Sequence, residues 1–168
     1  PFYNVPLGEH IITYTATDDC GNTNTCEMVL TVEDQVAPIA VCDADTEISL
    51  GSNCEAKLFA NVLDDGSSDN CAIDSFAIAL MDEGIFSNCL VFDDSFLDST
   101  VMVIFRVYDT VGLYNECMVE VTISDEIPPN INCTDVTIHC DQDPTDLNLT
   151  GMADVTDNCA IDTLYFED

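Results

Sequence analysis

Apolar and polar residues along this chain alternate with the two-residue period of half-buried strands, not the 3.6-residue period of helices. His10–Ala16, rich in Ile, Thr and Tyr, and Cys26–Val32 form one such pair of runs. Val101–Tyr108 and Cys117–Ile123 form a second pair of the same kind. Glu47–Leu50 and Asp135–His139 read as short early strands, and Phe76–Met81 and Leu90–Phe92 fill the middle. No stretch carries a capped helical period. Roughly seven short strands per 88 residues, set apart by Gly, Asn and Asp turns, predict an all-β fold of tandem immunoglobulin-like β-sandwich modules. Tryptophan is absent, which argues against a true antibody-type domain, whose core is pinned by one.

The same pattern recurs because the chain repeats itself. Asp-Asn-Cys-Ala-Ile-Asp occurs at Asp69–Asp74 and again at Asp157–Asp162, 88 positions apart. Tyr14–Asn22 aligns with Phe105–Leu113 at an offset of 91, which also carries Cys26 onto Cys117, Asp34 onto Asp125 and Cys42 onto Cys133. The offset falls to 86 between Cys54 and Cys140, so small insertions and deletions sit in the loops between. Proline marks two seams, Asp34–Pro38 and Asp125–Pro129. The expected organisation is the late half of one repeat (1–36), a complete repeat (37–126) and the early half of a third (127–168). No initiator Met, signal peptide or membrane-spanning run is seen, so the chain reads as a mature protein or a window on a longer one. Either the chain continues at both ends, or the tail of one copy completes the head of the next by strand exchange.

Composition narrows the partners. Thirty-three acids against Lys57 and Arg106 give a formal charge of −31, which repels phosphate and rules against nucleic-acid binding. Apolar residues make up 47%, too many for a disordered acidic chain. The acid excess reads as solubility, divalent-cation binding, or a lysine-poor surface partly masked by glycan; solubility with calcium is the expectation.

Ten cysteines at repeated positions read as disulfides in an oxidising compartment. There is no C-x2-C pair, and His10 and His139 sit in strand-like runs away from any ligand cluster, so zinc and a histidine base both have little to work with. Loop lengths suggest Cys20–Cys26 across a hairpin turn, Cys71–Cys89, Cys42–Cys54 and its copy Cys133–Cys140, with Cys117 and Cys159 left over. Each bond is expected to add about 2–4 kcal/mol to a module under 100 residues.

The segment Phe2-x-x-Val5-Pro6-Leu7-Gly8-x-His10-Ile11-Ile12-x-Tyr14-x-Ala16-x-Asp18-x-x-Gly21-Asn22 resembles the hyalin repeat. Leu30–Asp34 and Pro38–Cys42 are similar to the end of one such repeat and the start of the next. With the Asp-Asn-Cys turns, the likeness is to the cysteine-rich version found in long secreted and surface proteins of bacteria. It is weaker over 101–125, where Val111 and Leu113 replace the cysteine and asparagine. The resemblance implies an immunoglobulin-like fold, a role in adhesion or extracellular scaffolding, and no catalytic residues.

Asp18, Asp34 and Asp69, with their copies Asp109, Asp125 and Asp157, are the candidate calcium ligands at the seams, joined by Asp19, Glu33 and Glu126. The competing reading is that Asp at strand ends caps turns with its own backbone. The Asp64–Asn70 loop is a separate acidic candidate without the Glu of an EF-hand. Asn132-Cys133-Thr134 and Asn148-Leu149-Thr150 are N-glycosylation sequons, and Thr23 and Thr25 could carry O-glycans. The expected function is structural, not enzymatic: a tandem-repeat segment of an extracellular fibre or cell-surface filament, with copies of itself head to tail as partners. The alternative is an adhesive module that recognises a glycan or protein through sandwich loops, for which Phe86, Phe92, Phe96 and Tyr114 are the exposed-aromatic candidates. An accessory domain of a larger enzyme is the third reading. Neither nucleic acid nor membrane insertion is expected.

Overall fold

A computed structural model of the chain describes residues 5–143 and 145–165. Phe2 of the repeat-like segment lies outside them. The described chain is all-β apart from short turns of helix. Its strands in chain order are β1 (Gly8–Thr17), β2 (Thr23–Val32), β3 (Asp45–Ser49), β4 (Ala56–Phe59), β5 (Ile73–Leu80), β6 (Cys89–Phe92), β7 (Ser99–Asp109), β8 (Tyr114–Ser124), β9 (Asn130–Asn132) and β10 (Asp154–Thr156).

The main sheet has the order β3-β8-β7-β5, with β3 parallel to β8 and the other pairs antiparallel. A second ladder pairs β4 with β6. One apolar cluster joins the two, drawing Leu58 and Phe92 from the small ladder and Ile78, Phe105, Val119 and Ile123 from the large one. Alternation explains this directly: Val103, Phe105 and Val107 face inward on β7, and Val119, Val121 and Ile123 on β8, each fully buried. Among the described residues, the buried members of this cluster all fall between Leu50 and Ile123.

The repeat is written in the backbone pairing. In the β1–β2 hairpin Gly8 faces Val32 and Thr17 faces Thr23. Moved on by the offset of 91, these rungs become Ser99–Ile123 and Tyr108–Tyr114, the end rungs of β7–β8. The bridge between Ile39 and Ser68 becomes the Asn130–Thr156 rung of β9–β10 when Ile39 is moved on by 91 and Ser68 by the twin motif's 88. Both hairpin tips fold alike: Asp18 N–H donates to the Asn22 carbonyl, and Asp109 N–H to the Leu113 carbonyl. Gly21 at φ 86° and Gly112 at φ 90° supply the left-handed residue each tip requires.

Three expectations are corrected. Asp135–His139 is not a strand. The comparable strand β3 exists because β8 offers it a parallel edge, and no described strand lies beside 135–139. β4 went unforeseen because only Leu58 of its four residues is buried and Lys57 breaks the apolar run. A single helical turn, α1 (Leu147–Thr150), stands where no helix was expected. It is capped by the Asp146 carboxylate, which accepts from Asn148 N–H.

Candidate functional site

The two seams are the same structure made twice. At the first, the chain leaves β2 and Asp34 Oδ1 accepts from Val36 N–H at 3.1 Å. Ile39 and Ser68 then exchange backbone hydrogen bonds, which lays the 64–68 loop back along 39–42. That return brings Asn70 to the seam, where its Nδ2 donates to Asp34 Oδ1 at 3.1 Å. At the second seam Asp125 Oδ1 accepts from Ile127 N–H at 3.0 Å and from Asn158 Nδ2 at 3.1 Å. Asn158 also donates to the Gly51 carbonyl at 3.2 Å. Asp69 and Asp157 shape the two turns by accepting from the N–H of Cys71 and Cys159 respectively. The twin motif is therefore a clasp: each Asp-Asn-Cys turn holds the aspartate that closes the preceding repeat.

The second seam is also covalent. Cys54 is bonded to Cys159 across 105 residues, with the Cα atoms 4.9 Å apart. The Gly51–Glu55 turn holds Cys54 at φ 55°, a conformation that non-glycine residues seldom take. Within the repeat, Cys42 is bonded to Cys117 across 75 residues. Cys42 and Cys54 are thus disulfide-bonded, but not to one another. The extended strand β3 runs between them and separates them by roughly 16 Å. The expected Cys20–Cys26, Cys71–Cys89 and Cys133–Cys140 pairs do not form, and all six thiols are free. Cys26 stands opposite Tyr14 on the ladder, while Cys20 lies in the tip beyond Thr17. Cys71 lies two residues before β5, whereas Ser87, two residues before Cys89, bridges Ile78, five residues and roughly 16 Å along that strand from its start. Two disulfides mark an oxidising, non-cytoplasmic environment. No helix among the described residues is long and apolar enough to cross a membrane.

The six calcium candidates divide by place. Asp18 and Asp109 sit at hairpin tips, a strand length from the seams, with turn amides on their carboxylates. Asp18 Oδ1 accepts from Cys20 and Asn22 N–H, and Asp109 Oδ1 from Val111 and Leu113 N–H. Asp125 and Asp157 carry the second seam. Asp34 and Asp69 come together at the first, where one oxygen of each and the Cys71 sulfur lie within 4.8 Å of one another. Asp34 Oδ2 and Asp69 Oδ1 are buried without a hydrogen-bond partner. The Asn70 amide, followed by Val36 N–H, holds the Asp34 carboxyl below the usual carboxylate value. Desolvation, then the Asp34 and Asp69 carboxylates, push the Cys71 thiol up.

The aromatic candidates are engaged elsewhere. Phe92 is fully buried and meets Phe96 edge-on at 5.3 Å. Phe86 and Tyr114 stack on the Arg106 guanidinium, 3.5 and 4.2 Å from their ring centres, while Glu116 pairs with it. Asn132 lies exposed on β9, and Asn148 lies exposed on α1 in register with buried Ala60. Sequence reasoning did not assign Asn70 and Asn158 a role, although their presence in both copies of the motif was the available signal. Neither the known protein families nor the curated proteins include a match to this sequence.

Proposed function

We propose that the chain is a segment of an extracellular tandem-repeat fibre or cell-surface filament, built from immunoglobulin-like sandwich modules of the hyalin-repeat kind. The observation that carries this is the clasp that both seams share, Asp34 with Asn70 and Asp125 with Asn158, the second also locked by Cys54–Cys159. A seam repeated with such fidelity fixes the angle between neighbours, and a row of fixed angles makes a stiff rod. The sandwich reading is supported by the order β3-β8-β7-β5 facing β4-β6 and by the parallel pairing of the first strand of that sheet with the last.

The test is to loosen the second seam alone. Asn158→Ala combined with Cys54→Ser and Cys159→Ser opens a 105-residue loop and should lower the melting temperature, but should leave the 37–126 core folded and held by Cys42–Cys117. Small-angle scattering should show a broader distribution of molecular dimensions. Unchanged scattering would sink the joint. A seam cation is supported by the unpartnered Asp34 and Asp69 oxygens, with water filling the remaining positions of a six-to-eight-coordinate calcium. Chelator should then loosen the first seam in the same scattering measurement, and identical curves with and without calcium would discard the ion. The adhesive alternative draws less support, since its four aromatics pack in the core or on Arg106.

A further inference from the structure

The outer face of the main sheet, on the flank of the complete repeat, takes no part in either seam. Val103, Phe105, Val119 and Val121 face the core, so alternation turns Met102, Ile104, Met118 and Glu120 outward. Ile104 stands opposite Met118, and Met102 opposite Glu120, which sets the three apolar side chains on adjoining rungs. Met118 is 54% exposed, and Met102 and Ile104 are half-buried. One side of this shelf is closed. Ser87 bridges Ile78, Phe86 reaches across to Arg106, and Ala79, outward on β5, is fully buried. The other side is acidic. β3 runs parallel to β8, with exposed Asp45 beside exposed Glu120 and exposed Glu47 beside Thr122. Like charges side by side on a ladder are unfavourable. Among the described residues no basic side chain pairs with them, since Arg106 is taken by Glu116. The repeat does not require this arrangement: 91 positions earlier, Ile104, Met118 and Glu120 are replaced by Thr13, Glu27 and Val29. The face is a property of one copy.

We propose that it docks an extended cationic segment of a partner protein. An apolar side chain of that segment rests on Met102, Ile104 and Met118, and a lysine or arginine meets Asp45 and Glu120. Charge complementarity selects the partner, because a chain of charge −31 repels an acidic one and the two unpaired carboxylates gain a counter-ion. Methionine suits the floor of such a site, being unbranched, polarizable and able to adapt to the side chain it receives. Met102, Glu120 and Asp45 form one line across three strands, roughly 10 Å from end to end. An extended segment covers that distance in about three residues. Nothing in this depends on the fibre reading, because the face lies on the flank of a single repeat.

The 168-residue chain is titrated at about 0.15 M salt, which screens long-range attraction between exposed charges. The probes are a fluorescent peptide of alternating lysine and leucine and a lysine–serine peptide of equal length and charge. Fluorescence anisotropy should show the leucine peptide binding about tenfold more tightly. Met118→Ser should remove that advantage and leave the lysine–serine peptide unchanged. Asp45→Asn with Glu120→Gln should weaken the leucine peptide by about tenfold. Glu9→Gln with Glu27→Gln, which removes the same charge from exposed positions of the first hairpin, should change it by less than about twofold. Equal losses from the two pairs would show that the peptide senses only the charge of the whole chain, and would overturn the proposal. Equal affinity for the two peptides, or binding of neither, would overturn it as well.

Discussion

At the scale of single residues, the two hairpin tips show what one substitution does to a repeated turn. In the first, Asn22 Nδ2 donates to Asp18 Oδ2 at 2.8 Å, so every carboxylate oxygen has a partner. In the second, Leu113 replaces that asparagine, and Asp109 Oδ2 is left buried with none. An unsatisfied buried acceptor costs about 1–3 kcal/mol. Leu113→Asn restores the donor of the other copy and should stabilise the protein by about 1 kcal/mol, read as a rise in the denaturant midpoint. A fall in the midpoint would mean that Leu113 contributes more through packing than the orphaned oxygen costs. The seam asparagines follow the same rule in the other direction: each gives the aspartate at its seam a donor.

At the scale of strands and hairpins, equal sequence positions have unequal surroundings. Phe105 on β7 is fully buried and stacks on Phe76 at 5.5 Å, while Tyr14, its counterpart on β1, is half exposed. Phe105→Ala should therefore cost about 3–5 kcal/mol, a typical loss for an aromatic in a packed core. Tyr14→Ala should cost under about 0.5 kcal/mol, the scale of surface changes. Equilibrium denaturation of the two variants checks the contrast, and similar losses would show that β1–β2 is already covered in solution. The long hairpins were legible in the sequence because alternation is a local signal and it appears twice. The parallel β3–β8 pairing was not, because the residues that decide it lie more than 70 positions apart. The disulfides failed for the same reason. Short loops favour near partners such as Cys20 and Cys26, whereas the bonds formed span 75 and 105 residues and follow the sheet. Asn148 carries a related lesson, since its exposure on α1 is that of a repeat whose counterpart residue, Ala60, is buried.

At the scale of the whole molecule, charge and crosslinking set the terms. Of two basic residues, Arg106 is committed to Glu116 and to its aromatic neighbours, so the charge on the surface is almost entirely negative. Self-repulsion of that size opposes compaction, and the covalent bonds offset it. Closing a 75-residue loop lowers the entropy of the unfolded chain by an amount worth about 4 kcal/mol. Replacing Cys42 and Cys117 together by serine should lower stability by about that much in denaturant titrations. A loss below about 1 kcal/mol would show that the reduced chain is already restrained.

Cys42 lies eight positions beyond Asp34, and Cys117 eight before Asp125. Tension applied along the chain would enter near one sulfur and leave near the other, bypassing the apolar interior. The 75 residues between them, roughly 250 Å when drawn out, are withheld from extension. A strand of such units would resist lengthening under load even where heat or denaturant had melted its core.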